Sequence, residues 1–375
     1  MTPVTPASPP ASGRIPSLDG LRAISIILVL IGHLNGTAGF GSHPWIRSTF
    51  GDLAHLGVVV FFVISGFLIT TLLLKEHAKT GTVSLVLFYA RRSIRIFPAA
   101  LAFLAAMALA HYLHWIELHP RDMLHALTYT VNYHVNRSWF IGHLWSLSVE
   151  EQFYLLWPLT MLLLGPRRAF WFAAFMLVLS PCFRIAAWLF LRGNPLADAE
   201  MFPMVSDSLA AGCLLAGLRP HLESHRLYRH LLAGPSWLFL LAALLVLNRF
   251  SIYVAGSTIG FAIENLLIAA LVHRAVVNPG SAFGSFLNSA PVSAIGVLSY
   301  SLYLWQQPFL NRHSSAWVNA FPQNLVLAIG MAVISYRLLE HPLNALRHRL
   351  RADSSPPRPP SSPSDRPPAS VARIS

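Results

Sequence analysis

The run His143–Trp157, HLWSLSVEEQFYLLW, places two adjacent carboxylates, Glu150 and Glu151, in a stretch otherwise suited to hydrocarbon. On a helix turning 100° per residue, His143, Ser146, Glu150 and Tyr154 share one stripe. An acid at membrane depth costs about 2.5–3.5 kcal/mol on insertion scales, so it faces a bundle interior or a water-filled cavity. In LRAISIILVLIGHL, Arg22 and His33 are eleven residues apart, nearly three turns, and share a face about 16 Å apart along the axis. Counting back from Arg167 sets Glu150 at a depth similar to that of His33 or slightly shallower towards the outside. An imidazole and a carboxylate that meet inside a bundle have the makings of a general base and the group that orients it. A histidine merely satisfied by a neighbouring helix explains His33 equally well from spacing alone, while a buried carboxylate is harder to explain structurally. Glu151, turned about 100° away, reads as structural support.

Other polar groups are candidates with competing readings. Ser65-Gly66 in FFVISGFLIT reads first as small-residue helix packing and second as a site serine. Arg92 and Arg95, at i and i+3, either anchor lipid headgroups or clamp phosphates with their planar forks. Asp207 and Glu264 are candidate cavity residues, with Arg184 a partner for one of them; Glu340 is expected to pair with Arg337 at i−3. Tyr300, Tyr303, Trp305, Gln306 and Gln307 line an acceptor pocket or belong to an interfacial aromatic belt, at equal weight.

The elements that must hold these residues are membrane helices. Hydrophobic residues make up 54% of the chain and charged residues 11%, against about a quarter charged in a soluble domain. Ten segments reach or approach the ~20 apolar residues needed to span: 18–37, 54–74, 98–116, 143–164, 169–191, 203–218, 234–249, 254–273, 291–310 and 322–340. The expected fold is all-α, a polytopic bundle of about ten transmembrane helices. Val83–Phe97 is short and basic and is expected to lie at the cytoplasmic interface as a separate helix, with Pro98 opening the next span. The net charge of +12 comes from Arg and Lys at segment ends, distributed about three to one in favour of one side. That pattern argues against nucleic-acid binding and sets both termini in the cytoplasm. Residues 1–16, with no signal-peptide core, and the Pro/Ser-rich 346–375 are expected to be disordered around a membrane domain over 17–345. Cys182 and Cys213 lie in apolar segments without ligand spacing, so neither a disulfide framework nor a metal site is expected.

Over about residues 17–345 the sequence resembles the acyltransferase-3 family of bacterial membrane acyltransferases. SLDGLRAISIILVLIGHL matches its Arg-(ten residues)-His opening at Arg22 and His33. FFVISGFLIT matches its Phe-Phe-x-x-Ser-Gly-Phe stretch at Ser65, FYARRSIRIFPA its Arg-x-x-Arg at Arg92 and Arg95, and HLWSLSVEEQFYLLWP its Trp-Ser-Leu-x-x-Glu block at Trp145, Ser146, Leu147 and Glu150. The resemblance implies transfer of an acyl group, most often acetyl, from acyl-coenzyme A to a hydroxyl of a carbohydrate or glycosylated acceptor, in the bacterial cytoplasmic (inner) membrane. It implies His33 as base held by Glu150, and donor phosphates held by Arg92 and Arg95 with Arg22 and Ser65 nearby. The candidate substrate pocket is Ser146, Trp145, Tyr154, Asp207, Glu264, Tyr303 and Gln306. Two positions depart from the family: Gln306 stands where a His commonly precedes Gln-Pro, and Val205 where an Arg often stands. Both bear on the acceptor pocket. A transporter or flippase of a polar envelope precursor is the rival reading of the same buried groups.

Overall fold

The computed structural model describes residues 15–50, 52–191, 200–251 and 258–343. The expected disordered segments 1–16 and 346–375 fall outside them except for residues 15 and 16. Every regular element among the described residues is helical: α1 (Leu18–Leu34), α2 (Pro44–Phe50), α3 (Leu53–Thr80), α4 (Leu85–Tyr112), α5 (Asp122–Leu127), α6 (Trp139–Gly142), α7 (Leu144–Phe190), α8 (Phe202–Ser224), α9 (Arg226–Ala233), α10 (Trp237–Ser251), α11 (Thr258–Val277), α12 (Ala282–Leu287), α13 (Ala290–Phe309) and α14 (Gln323–Ser335). A hydrocarbon setting explains the choice, because a helix satisfies its backbone groups within its own segment. Leu163, Phe175, Phe190, Ile259 and Val326 stand exposed on the outside of the bundle, where lipid rather than water suits them.

Among the described residues, helices cover at least part of each long apolar segment of the sequence. Five described stretches are long and apolar enough to cross a membrane by length and composition alone: 53–80, 85–112, 139–190, 259–277 and 323–343. The stretch 139–190 contains two of the expected segments. Within it α7 breaks at Gly165, whose φ of 72° and ψ of 166° lie outside the helical region, and Pro166 opens the second arm where its missing N–H is not needed. One expectation is corrected. Residues 83–97 do not form a separate interfacial helix, because α4 continues through Pro98. A proline removes one backbone donor and strains one turn, and the helical bonds on either side carry the element across it.

Four helices enclose the site and a fifth closes its side. Helix α1 packs antiparallel to α3 and parallel to α13; α7 descends beside α3 and antiparallel to α13. The start of α1 is tethered where Ser17 N–H donates to Asn288 Oδ1 (2.8 Å) and Asn288 Nδ2 donates to Ser17 Oγ (3.0 Å). Helices α3 and α8 cross closely at Gly66 and Gly212; a Cβ at either would sit 2.1 Å from a backbone oxygen of the other helix. Ile26, Phe62, Phe103, Leu147 and Leu302, all buried, fill the space between α1, α3, α4, α7 and α13.

Candidate active site

A cavity opens among five helices. Its wall includes Arg22 from α1, Phe61, Phe62 and Ser65 from α3, Arg92 from α4, Ser146, Glu150 and Tyr154 from α7, and Ser299, Tyr300 and Tyr303 from α13. Each of the four sequence motifs therefore contributes to one chamber.

The polar contacts inside are specific. Glu150 has Arg92 and Arg22 as cationic neighbours, with the hydroxyls of Tyr154 and Ser65 beside it. Those hydroxyls are 2.6 Å apart, and the Arg92 guanidinium lies 4.1 Å from the centre of the Tyr154 ring. An acid with two guanidinium groups and two hydroxyls around it sits among groups that make a carboxyl at this depth tolerable. Farther along the wall the Ser146 and Tyr303 hydroxyls bond one another, and both reach the carbonyl oxygen of His143, at 3.3 and 2.9 Å. His143 Nε2–H donates to Leu304 O at 3.1 Å.

His33 is not on this wall. Its Nδ1 lies 2.8 Å from Gln306 Oε1, and its ring meets Trp139 edge-on at 6.0 Å. Trp139 donates its indole N–H to Gln307 O (2.9 Å), and Arg312 lies over the same indole while donating to Gly32 O (3.0 Å). No hydrogen bond or ion pair joins His33 to Glu150 among the described residues. The expected pairing is corrected for a reason of depth. Arg22, expected at the headgroups, is itself inside the chamber beside Glu150, so α1 starts deeper relative to α7 than charge counting implied. His143 sits level with Leu304, near His33, and Glu150 lies seven residues further down α7, about 10 Å of helix.

Other expected site residues separate into groups. Tyr154, Ser146 and Tyr303 join the chamber as expected, and Ser65 both lines it and sits next to the Gly66 crossing. Trp145 stands behind the wall, edge-on to Phe62 at 6.0 Å. Asp207 and Glu264 do not line the chamber: Asp207 is held by Arg184 through two bonds, 3.1 and 2.7 Å, and Glu264 is buried on α11. Gln306 likewise faces His33 rather than the chamber. Tyr303, Trp305, Gln306 and Gln307 are all buried, which removes the interfacial-belt reading for them. Arg92 and Arg95 have different acids as neighbours, Glu150 and Glu151 for Arg92 and Glu340 for Arg95. Glu340 does not pair with Arg337 but accepts the Ser301 hydroxyl; the stretch Tyr336–Glu340 is a π turn, whose i→i+5 spacing takes residues three apart off a common face. Trp139, which packs on His33, was not singled out from the sequence, since a four-residue helix has no periodicity to read.

Residues 15–338 match a family model described as an acyltransferase domain, Acyl_transf_3. The chain belongs to the acyltransferase-3 family. It is similar to "O-acetyltransferase OatA" of Staphylococcus aureus, 32% identical over 366 residues, an alignment covering 88% of this chain and 57% of the relative. It is also similar to "Putative peptidoglycan O-acetyltransferase YrhL" of Bacillus subtilis, 27% identical over 363 residues, covering 88% of this chain and 55% of the relative. The chain thus spans a little over half the length of these curated relatives. No solved structure matches it. Within this acyltransferase-3 chain, the residues carrying the family motifs are the ones that enclose the chamber, apart from His33, Arg95 and Trp145, which do not line it.

Proposed function

We propose that this chain is a membrane O-acetyltransferase that moves an acetyl group from acetyl-coenzyme A to a hydroxyl of an envelope carbohydrate. The reading rests on one observation: four motif stretches far apart in sequence converge on one polar chamber in a membrane bundle. The names of both relatives specify O-acetyl transfer, and that of the Bacillus relative specifies peptidoglycan as acceptor. Both termini lie in the cytoplasm of a bacterial cell and the chain crosses its inner membrane ten times.

The division of labour follows from depth. Arg22 and Arg92 stand at the end of the chamber where α1 and α4 begin, with Arg95 beside them, and supply the fixed positive charge that pyrophosphate oxygens need. On this reading the acyl-pantetheine arm enters the chamber while the nucleotide stays outside it. Glu150 acts here as the counter-charge that holds Arg92, Tyr154 and Ser65 in register rather than as the orienting partner of the base. His33, held by Gln306 and close to His143, accepts the proton of the acceptor hydroxyl as its oxygen attacks the thioester carbonyl. The test is thiol release from acetyl-coenzyme A by the purified chain with a soluble peptidoglycan fragment as acceptor. His33→Ala is expected to lower kcat by about 10²–10⁴, the usual worth of a general base. A variant within a few-fold of wild type removes His33 from that role.

A further inference from the structure

The ring of His33 is held by an amide, and the orientation of that amide is set two residues away. The Trp139 carbonyl oxygen offers only lone pairs, and Gln307 Nε2 lies 3.0 Å from it. Gln307 must donate there, so its Oε1 turns towards Gln306, whose Nε2 is 3.3 Å distant. Gln306 then presents its own Oε1 to His33 Nδ1 at 2.8 Å. An oxygen that can only accept requires a proton on Nδ1. Turning either amide over sets oxygen against oxygen, so each link enforces the next. Gln306 and Gln307 are 0% and 4% exposed, which removes water as a competing partner. The other ring nitrogen of His33, Nε2, has no protein partner among the described residues, yet it is not sealed from the surface.

We propose that Gln306, backed by Gln307 and the Trp139 carbonyl, is a positioning residue that locks His33 in the Nδ1–H tautomer and so makes Nε2 the basic nitrogen. The inference rests on His33 being the base, as proposed above. In the transfer the acceptor oxygen bonds to the acyl carbon, the carbon–sulfur bond breaks, and the hydroxyl proton passes to Nε2 and then to the departing thiolate. Throughout, Nδ1–H stays on Gln306 Oε1, a contact that becomes charge-assisted while the ring is protonated. An amide holds this arrangement without a titration of its own, which a histidine at position 306 would add. The charged or titratable groups around the ring are Arg312, Asp52 and His143.

The tautomer is readable without any substrate. In full-length chain labelled with ¹⁵N-histidine, the His33 signals are those lost in His33→Gln. Above the pH at which the ring titrates, they are expected to show a protonated Nδ1 and an unprotonated Nε2, and Gln306→Leu is expected to exchange or average the two. A protonated Nε2 in the wild type, or a spectrum unchanged in Gln306→Leu, overturns the proposal. In the thiol-release assay Gln306→Leu is expected to lower kcat at least ~10-fold, part of the 10²–10⁴ a base supplies, with KM for acetyl-coenzyme A unchanged. Gln306→Glu accepts the same proton, so it is expected to retain more activity than Gln306→Leu with the acid limb of its pH profile moved to higher pH. Equal losses in both variants with no movement of that limb make the position merely structural and overturn the proposal. An active His33→Ala overturns the reading of the base, whereas an inactive His33→Ala beside a fully active Gln306→Leu overturns the relay alone.

Discussion

At the scale of single residues, the bundle separates charges by whether they are shared or isolated. Glu150 is shared among two arginines and two hydroxyls, while Asp207, 1% exposed, depends on Arg184. Removing Asp207 takes two bonds from the part-buried Arg184 guanidinium, and breaking such a pair from one side is worth about 3–5 kcal/mol. Asp207→Ala is therefore expected to lower the thermal midpoint of the purified chain strongly. The material that remains folded should keep the wild-type KM for acetyl-coenzyme A, because Asp207 is off the chamber wall. A normal midpoint together with a raised KM would assign Asp207 to the site instead. Replacing both partners by apolar residues, Arg184→Met with Asp207→Leu, should recover much of the loss, since the pair is then removed from both sides.

At the scale of elements, close helix contact and loop electrostatics make separate predictions. The α3–α8 crossing admits no side chain at Gly212, where a Cβ would lie 2.1 Å from Val63 O. Gly212→Leu is expected to force the helices apart and cost at least about 1–3 kcal/mol, the usual penalty of overpacking. Gly330 on α14 has nothing within 4 Å of such a Cβ, so Gly330→Ala should be neutral or stabilising by up to ~1 kcal/mol. Unfolding midpoints of the two variants, measured side by side, check the contrast. The connection between α4 and α7 is organised by buried Asp122, which accepts His134 Nε2–H (3.0 Å) and the backbone N–H of His119 (2.8 Å); the His134 ring also stacks on His125 at 4.4 Å. Burial, and next the neighbouring His125, hold His134 below the ordinary histidine value against the upward pull of Asp122. The folded loop thus binds fewer protons than the open one. Its stability is full above about pH 6.5, where a free imidazole is neutral, and is lost as pH falls below that value. Amide exchange across 119–138, corrected for intrinsic rates, should show less protection at low pH, and His134→Gln should abolish the difference. Equal protection at both pH values in the wild type would refute this.

At the scale of the whole molecule, the arrangement requires that the end bearing Lys79 and the end bearing Glu117 open on opposite sides of the membrane. Both residues are exposed. In a chain whose exposed Cys182 has been replaced by Ala, Lys79→Cys is expected to react with a membrane-impermeant thiol reagent only in inverted vesicles, and Glu117→Cys only in intact cells. Labelling of both from one side would overturn the proposed orientation. Donor and acceptor would then enter the bundle by routes other than the ones drawn from the positions of Arg92 and His33.

The sequence by itself determined the all-helical membrane architecture, because unbroken apolar runs in a bilayer leave the backbone no alternative. It also determined the family and most of the chamber wall, since a stripe of polar side chains in an apolar helix must turn towards its own kind. Periodicity reports a residue's face but not its height against another helix, and there only the tertiary structure could decide. The depth of α1 beside α7 took Glu150 from His33 and gave it to Arg92 and Arg22. The parallel packing of α13 on α1 set Gln306 against the imidazole instead. Such contacts depend on how neighbouring helices slide past one another, which is settled by close approaches such as Gly66 on Leu209 and by tethers such as Asn288 on Ser17.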